Sequence, residues 1–314
     1  MLWRLIYNIT VNRNYKIWRY IKWLFQIYSH GTVIKKIRQV QLAVQVINLP
    51  LLAAVRSGQQ TAGTTDRNDE ICRKLKSYGC EKYQMSLDGM RKTHDWFRKP
   101  GSFDCTLEKI KCINNAGIRS VIMTTVSSIN IYEVPQIIDT VVENGVNVFA
   151  FARYCPTAKE KHVGISPLRY RELLDTCYHK FSEYEQNGCK TYFNRKDHLW
   201  TLYDYEEGLF QIPRNAQKGM IYGGCNCGNC HLTILPSGDL YACRRFDSKV
   251  GNIFTDDPAK AWVGSQMENY RDYTKFQKCS KCELMAFCRG CPAVSCGTNG
   301  DFYAPDPQCW KEIN

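Results

Sequence analysis

A chain of 314 residues with 44% hydrophobic content is long enough for a barrel-sized domain with a smaller appendage, and its composition is ordinary for a globular protein. The net charge of +12 is unevenly spread: residues 1–65 hold nine Lys or Arg and no Asp or Glu, leaving 33 basic against 30 acidic side chains in the remainder. A nearly neutral body argues against nucleic acid as a partner.

Residues 1–65 form an atypical basic segment that is expected to pack poorly, since it has no acidic partners. Three readings stay open for it: an aromatic and basic arm lying on a membrane or nucleic acid, an ordinary basic surface, or a disrupted start of the coding region. Within it, Gln39 to Val55 is uncharged but contains Gln39, Gln41, Gln45, Asn48 and Pro50, so it makes a poor membrane span. About 38 residues of mixed aromatic and basic sequence precede the apolar stretch, so a secretory signal is not expected. A cytoplasmic location is expected, where thiols stay reduced and metal is favoured over disulfides.

Regular patterning starts at Asp69. A helix is predicted from Asp69 to Tyr78, with Gly79 closing it, then a short strand from Lys82 to Leu87 that ends in the turn Asp88-Gly89. Ser102 to Ala116 reads as a helix stopped by Gly117, and the β-branched run Arg119 to Val126 as a buried strand. Tyr132 to Glu143 carries Val134, Ile137, Ile138, Val141 and Val142 at helical spacing, and Val146 to Ala152 is the next buried strand. Strand and helix alternating in this way predict an α/β fold of βα units around a parallel sheet, with active groups at the C-terminal ends of the strands. Two long helical stretches follow, about 168–186 and 197–209. The expected organisation is the segment 1–65, a partial barrel with linking helices at 66–222, and a cysteine-rich domain at 223–314.

Ten of the seventeen cysteines fall between Cys225 and Cys309. Cys225, Cys227 and Cys230 stand in CNCGNC, and a predicted hairpin turning at Pro236-Ser237-Gly238-Asp239 returns Cys243 beside them. Cys279, Cys282 and Cys288 form a CxxCxxxxxC claw, followed by Cys291, Cys296 and Cys309. An iron-sulfur cluster needs three or four convergent thiolates, which short CxxC loops and a more distant Cys can supply. Structural zinc uses the same ligands four at a time, so a zinc-bound interaction module is one alternative.

The run of Cys, Gly238, four residues and Cys243, then the claw, Cys291 and a late Cys309, resembles the SPASM domain of radical S-adenosylmethionine enzymes. The segments QMSLDG (84–89), HDWFR (94–98) and FARYCPT (151–157) are similar to barrel segments of that family. The resemblance covers residues 67–314 and implies a partial (β/α) radical-SAM-type barrel followed by a SPASM domain holding two auxiliary [4Fe-4S] clusters. It implies one cluster on Cys279, Cys282, Cys288 and Cys309, and the other on Cys230, Cys243, Cys291 and either Cys225 or Cys227, with Cys296 a spare. It places Ser86 and Asp88 near the amino-acid end of S-adenosylmethionine and the backbone near Arg153 to Pro156 by the adenine. It also implies a peptide or protein substrate and a reductant such as ferredoxin or flavodoxin. One departure is the spacing between the third and fourth claw cysteines, two residues (Arg289, Gly290) where the family usually has three.

The motif that defines radical initiation in the family, CxxxCxxC, does not occur in the sequence, and no GGEP segment is present. Both should precede Asp66, in the stretch without acidic residues. The expectation is therefore a disrupted peptide maturase, of the lineage that forms thioether or carbon-carbon cross-links, impaired in radical initiation. No catalytic residue is assigned. A non-catalytic iron-sulfur electron carrier or peptide-binding protein is the other alternative. Arg244, in CRR, stands where sulfatase-maturing relatives carry an acidic residue, which points to a different peptide substrate.

Overall fold

The computed structural model describes residues 65–157, 160, 164–217 and 219–313. The predicted basic segment lies outside them apart from its last residue. Helix α1 (Thr65–Ser77) is followed by β1 (Lys82–Ser86), α2 (Arg91–Phe97), α3 (Ser102–Asn115), β2 (Arg119–Val126), α4 (Val134–Glu143), β3 (Val148–Arg153), α5 (Pro167–Gln186), β4 (Tyr192–Asn194) and α6 (Leu199–Glu206). The four strands pair in parallel in the order β1-β2-β3-β4, the arrangement that alternating strand and helix produces. The α/β class and the half-barrel sheet are those the sequence predicts, with α2 and β4 as additions.

The helices start where local chemistry satisfies their free N–H groups. The Asp95 carboxylate, at the end of α2, accepts hydrogen bonds from the Gly101 and Phe103 N–H groups, both at 2.8 Å, and so caps α3. Helix α5 has Pro167 in its first turn, and the Ser166 hydroxyl accepts from the Arg169 N–H. Helix α4 buries Val134, Ile137, Ile138 and Val141 completely, the stripe its 3.6-residue period predicts.

Register fixes which strand residues share a face. Gln84 and Ser86 pair with Val121 and Met123, and these with Val148 and Ala150. That face is small and half open. The opposite face carries Tyr83, Ile122, Val126, Phe149, Phe151 and Phe193, all buried. Strand β2 was predicted to be buried on both faces. It alternates instead, with Ser120, Ile122, Thr124 and Val126 buried and the residues between them at least partly accessible, because helices cover one side only. Against the covered face pack Ile110 of α3, Ile137 and Val141 of α4, and Phe181 and Trp200 of α5 and α6. Phe181 stacks on Phe193 with ring centroids 4.3 Å apart.

The cysteine-rich region is built from shorter pieces. Strands β5 (Thr233–Ile234), β6 (Asp239–Tyr241) and β7 (Lys249–Asn252) form an antiparallel sheet, followed by α7 (Pro258–Val263), α8 (Ser265–Asn269) and α9 (Pro292–Asn299). The predicted hairpin is its first two strands. Its core gathers Leu232, Leu240, Val250, Ile253 and Met267 around an aromatic group in which the Phe302 ring lies 5.0–5.6 Å from those of Tyr270, Phe246 and Phe276. Among the described residues, no helix is long and apolar enough to cross a membrane.

Candidate metal centre

Four cysteines of the claw set line one cavity. Cys279 opens a single 3-10 turn, Cys282 closes it by donating its N–H to the Cys279 carbonyl at 3.0 Å, and Cys288 and Cys309 complete the wall with Leu202, Leu284 and Met285. The Gly290 N–H donates to Cys288 Sγ at 3.3 Å, and Lys278 Nζ to the Cys309 carbonyl at 3.1 Å. Burial pushes the Cys279 thiol up to about 12, with Cys309 adding to it, and burial also raises Cys282 and Cys288. Such thiols keep their protons until a metal takes them, so loading is coupled to proton release.

A second group gathers near the hairpin. Cys291 lies close enough to push up the thiols of Cys225, Cys227 and Cys243, and Cys243 packs on both the hairpin core and the Cys291 cluster. Cys225 is pushed up to about 12, chiefly by burial and then by Cys291. Cys230, which the family pattern puts in this set, stands apart: its thiol donates to Asn226 Oδ1 at 3.0 Å, and Arg289 is the charged neighbour it feels. Cys296 has Asp301 and Asp247 as its charged neighbours and belongs to neither group.

The two-residue spacer separates the groups. Arg289 and Gly290 both take left-handed backbone, φ 65° and 57°, and among the described residues Arg289 is the one non-glycine residue that does. A Cβ on Gly290 would meet Asp306 Oδ2 at 2.4 Å, so glycine is required there. The double reversal leaves Cys288 in the claw cavity and sends Cys291 to the hairpin group, where its N–H donates to Asp306 Oδ2 at 2.7 Å. The Arg289 guanidinium donates to the carbonyls of Met285, Gly223 and Cys225, each at 2.8 Å, and so ties the CNCGNC loop to the claw. No sequence motif announces this role.

Among the described residues, no three Cys, His, Asp or Glu side chains converge on a single ion position. The claw thiols instead ring a shared space beside apolar walls. Soft sulfur donors around a space suit a multi-iron cluster, and the residues fit that group.

The residues predicted to touch S-adenosylmethionine are not brought together. Ser86 ends β1 on the small, open face. Asp88 is buried in the turn below it, where one carboxylate oxygen accepts from the Thr125 N–H at 2.8 Å and the other from Arg98. Arg153 pairs with Val126 and so lies on the opposite, helix-covered face. Its guanidinium is 1% exposed and spends its donors on Asp197 (3.0 Å), Asp306 (2.6 and 2.9 Å) and Gln308 (3.0 Å). This side chain is a buried cation joining the parallel sheet to the chain's C-terminal end, which leaves the backbone near Arg153 to Pro156 as the part expected to approach the adenine. Paired charge makes such burial tolerable.

Residues 225–292 match the family model of the SPASM iron-sulfur cluster-binding domain. An AdoMet-dependent heme synthase of Methanosarcina barkeri is 26% identical over 249 residues, 76% of this chain and 70% of that protein. The mycofactocin maturase MftC of Mycolicibacterium smegmatis is 26% identical over 249 residues, 76% of this chain and 60% of that protein. SuiB of Streptococcus suis, solved with bound S-adenosylmethionine, superposes with a TM-score of 0.56 at 20% identity, covering 77% of this chain and 56% of that one. The chain thus spans little more than half of SuiB. Fold and cysteine region together define an α/β protein with an iron-sulfur cluster-binding domain at its C-terminal end. Residues 225–292 are thus a SPASM iron-sulfur cluster-binding domain, and over about three quarters of its length the chain is similar to radical S-adenosylmethionine enzymes.

Proposed function

We propose that this chain is the cluster-bearing part of a peptide-modifying radical S-adenosylmethionine system. In this reading it holds two auxiliary [4Fe-4S] clusters that position substrate and pass electrons. The observation that carries it is the division of the array into two thiol groups by the left-handed Arg289-Gly290 spacer. When bound, such clusters supply one-electron transfer at a potential set by burial and hydrogen bonds to sulfur. The chain's own residues would set those terms: the Gly290 N–H at Cys288 Sγ and the Arg245 guanidinium at Cys291 Sγ both stabilise the sulfur as an anion.

The peptide substrate draws support from SuiB, which is also solved with the precursor peptide SuiA. A thioether or carbon-carbon cross-link is the bond proposed, and a ferredoxin or flavodoxin the electron donor. S-adenosylmethionine would approach the sheet face that ends in Ser86, with the backbone near Arg153 to Pro156 at its adenine. The 314 residues contain no CxxxCxxC, so radical initiation is proposed to need that motif from outside this sequence. A second reading, a heme-forming reaction, is favoured by the sequence likeness to the heme synthase.

Anaerobic purification after iron and sulfide loading tests the core of the proposal. About eight irons per chain with a broad visible absorbance are expected, and colourless protein holding zinc would reject it. The loaded chain is then offered SuiA-like peptides and heme precursors in binding assays. Preference for a heme precursor would select the second reading. Reduction with S-adenosylmethionine is expected to give no 5'-deoxyadenosine from this chain alone.

A further inference from the structure

Outside the cysteine-rich region, one thiol reaches it. Cys155 follows β3 by two residues and packs, with Cys243, against Cys291. Three contacts hold it there. The Arg245 guanidinium donates both to the Arg153 carbonyl, two residues before Cys155, and to Cys291 Sγ at 3.3 Å. Helix α9 brings Gly297 against the next residue so closely that a Cβ there would sit 1.9 Å from the Pro156 carbonyl oxygen. The Arg153 side chain is itself anchored on Asp306, whose carboxylate also accepts the Cys291 N–H. The loop carrying Cys155 is thus fixed against Cys291 from both sides.

We infer that Cys155 supplies the fourth sulfur to the cluster held by Cys225, Cys243 and Cys291, so that this cluster bridges the parallel sheet and the cysteine-rich region. The inference rests on the proposed reading that the hairpin group holds a cluster. The other candidates are less suited. Cys227 is 6% exposed and packed in the hairpin's apolar core, and the Cys230 thiol is engaged by Asn226. A thiol already packed beside Cys291 is placed to meet the same cluster.

The test uses the full chain, loaded anaerobically with iron and sulfide. For Cys155→Ser the expected result is loss of one to four of about eight irons, with a three-iron EPR signal where only one is lost, while the claw cluster stays filled as an internal check on folding. Cys227→Ser and Cys230→Ser are expected to keep the wild-type iron content. A second measurement avoids the variant altogether. In loaded wild-type protein Cys155 is expected to resist alkylation until iron is chelated, while half-buried Cys105 reacts before and after. Alkylation of Cys155 in the loaded protein, or wild-type iron content in Cys155→Ser, would overturn the inference. An iron-free wild-type chain would overturn the proposed function as well, so the two failures are told apart by the wild-type iron measurement.

Discussion

The sheet region and the cysteine-rich region are held together by different physics. In the first, strands of up to eight residues and helices of up to twenty bury a continuous apolar and aromatic core. In the second, strands of two to four residues and helices of five to eight enclose a smaller core in which thiols and aromatic rings sit side by side. Elements so short are marginal by themselves in water. Hydrophobic burial is expected to fold the sheet region, and metal to complete the cysteine-rich one.

The sharpest way to break that contrast is to remove iron. Chelation is expected to lower amide-exchange protection most between residues 225 and 309 and least in β1–β3, so equal loss in both would show that the two share one source of stability. Next in size, Arg153→Ala leaves buried Asp197 and Asp306 without their cation and is expected to cost about 3–5 kcal/mol in denaturant unfolding, destabilising both regions together. Phe149→Ala is expected to cost a similar 3–5 kcal/mol but in the sheet region alone, with iron content unchanged. Gly290→Ala is expected to cost about 1–2 kcal/mol for a left-handed residue, plus the contact with Asp306, and to lower iron content without touching the sheet.

The smallest expected effect is on pH dependence. His94 is buried, and its Nδ1 accepts the Asp88 N–H at 3.0 Å, so it favours the neutral form and its pKa lies below the ordinary 6.5, chiefly through burial. The unfolded chain therefore binds this proton first as pH falls. Stability is full above 6.5, declines as pH drops below it, and levels off once folded His94 also protonates. Replacing His94 with Gln is expected to flatten that part of a stability-pH curve, and an unchanged curve would exclude His94 as its source.

What could be read in advance follows the range of the interactions. Strands β1 to β3, helices α1, α3 and α4 and the Cys230–Cys243 hairpin announce themselves through local period and turn residues, and the claw through its spacing, whereas α2 does not. Strand β4 has three residues, too few for a pattern, and owes its existence to pairing with β3. Arg153 has a role set by Asp306, 153 residues away, and nothing near it in sequence reveals that partner. Cys155 sits alone in a loop and shows its neighbours only once α9 has packed on Pro156. The exception is Arg289-Gly290, where the shortened spacing was visible but not the backbone reversal it serves.

The Arg153 network also bears on how this protein can be taken apart. The composition suggests a boundary near residue 223, and a fragment starting there would carry the SPASM match intact. It would also carry Asp306 and Gln308 without the guanidinium they enclose, and Cys291 without the loop that packs on it. The complementary fragment would keep Arg153 and Asp197 but lose the second carboxylate. The seam that looks like a hinge between modules is a shared interior, and the two regions have to be handled as one piece.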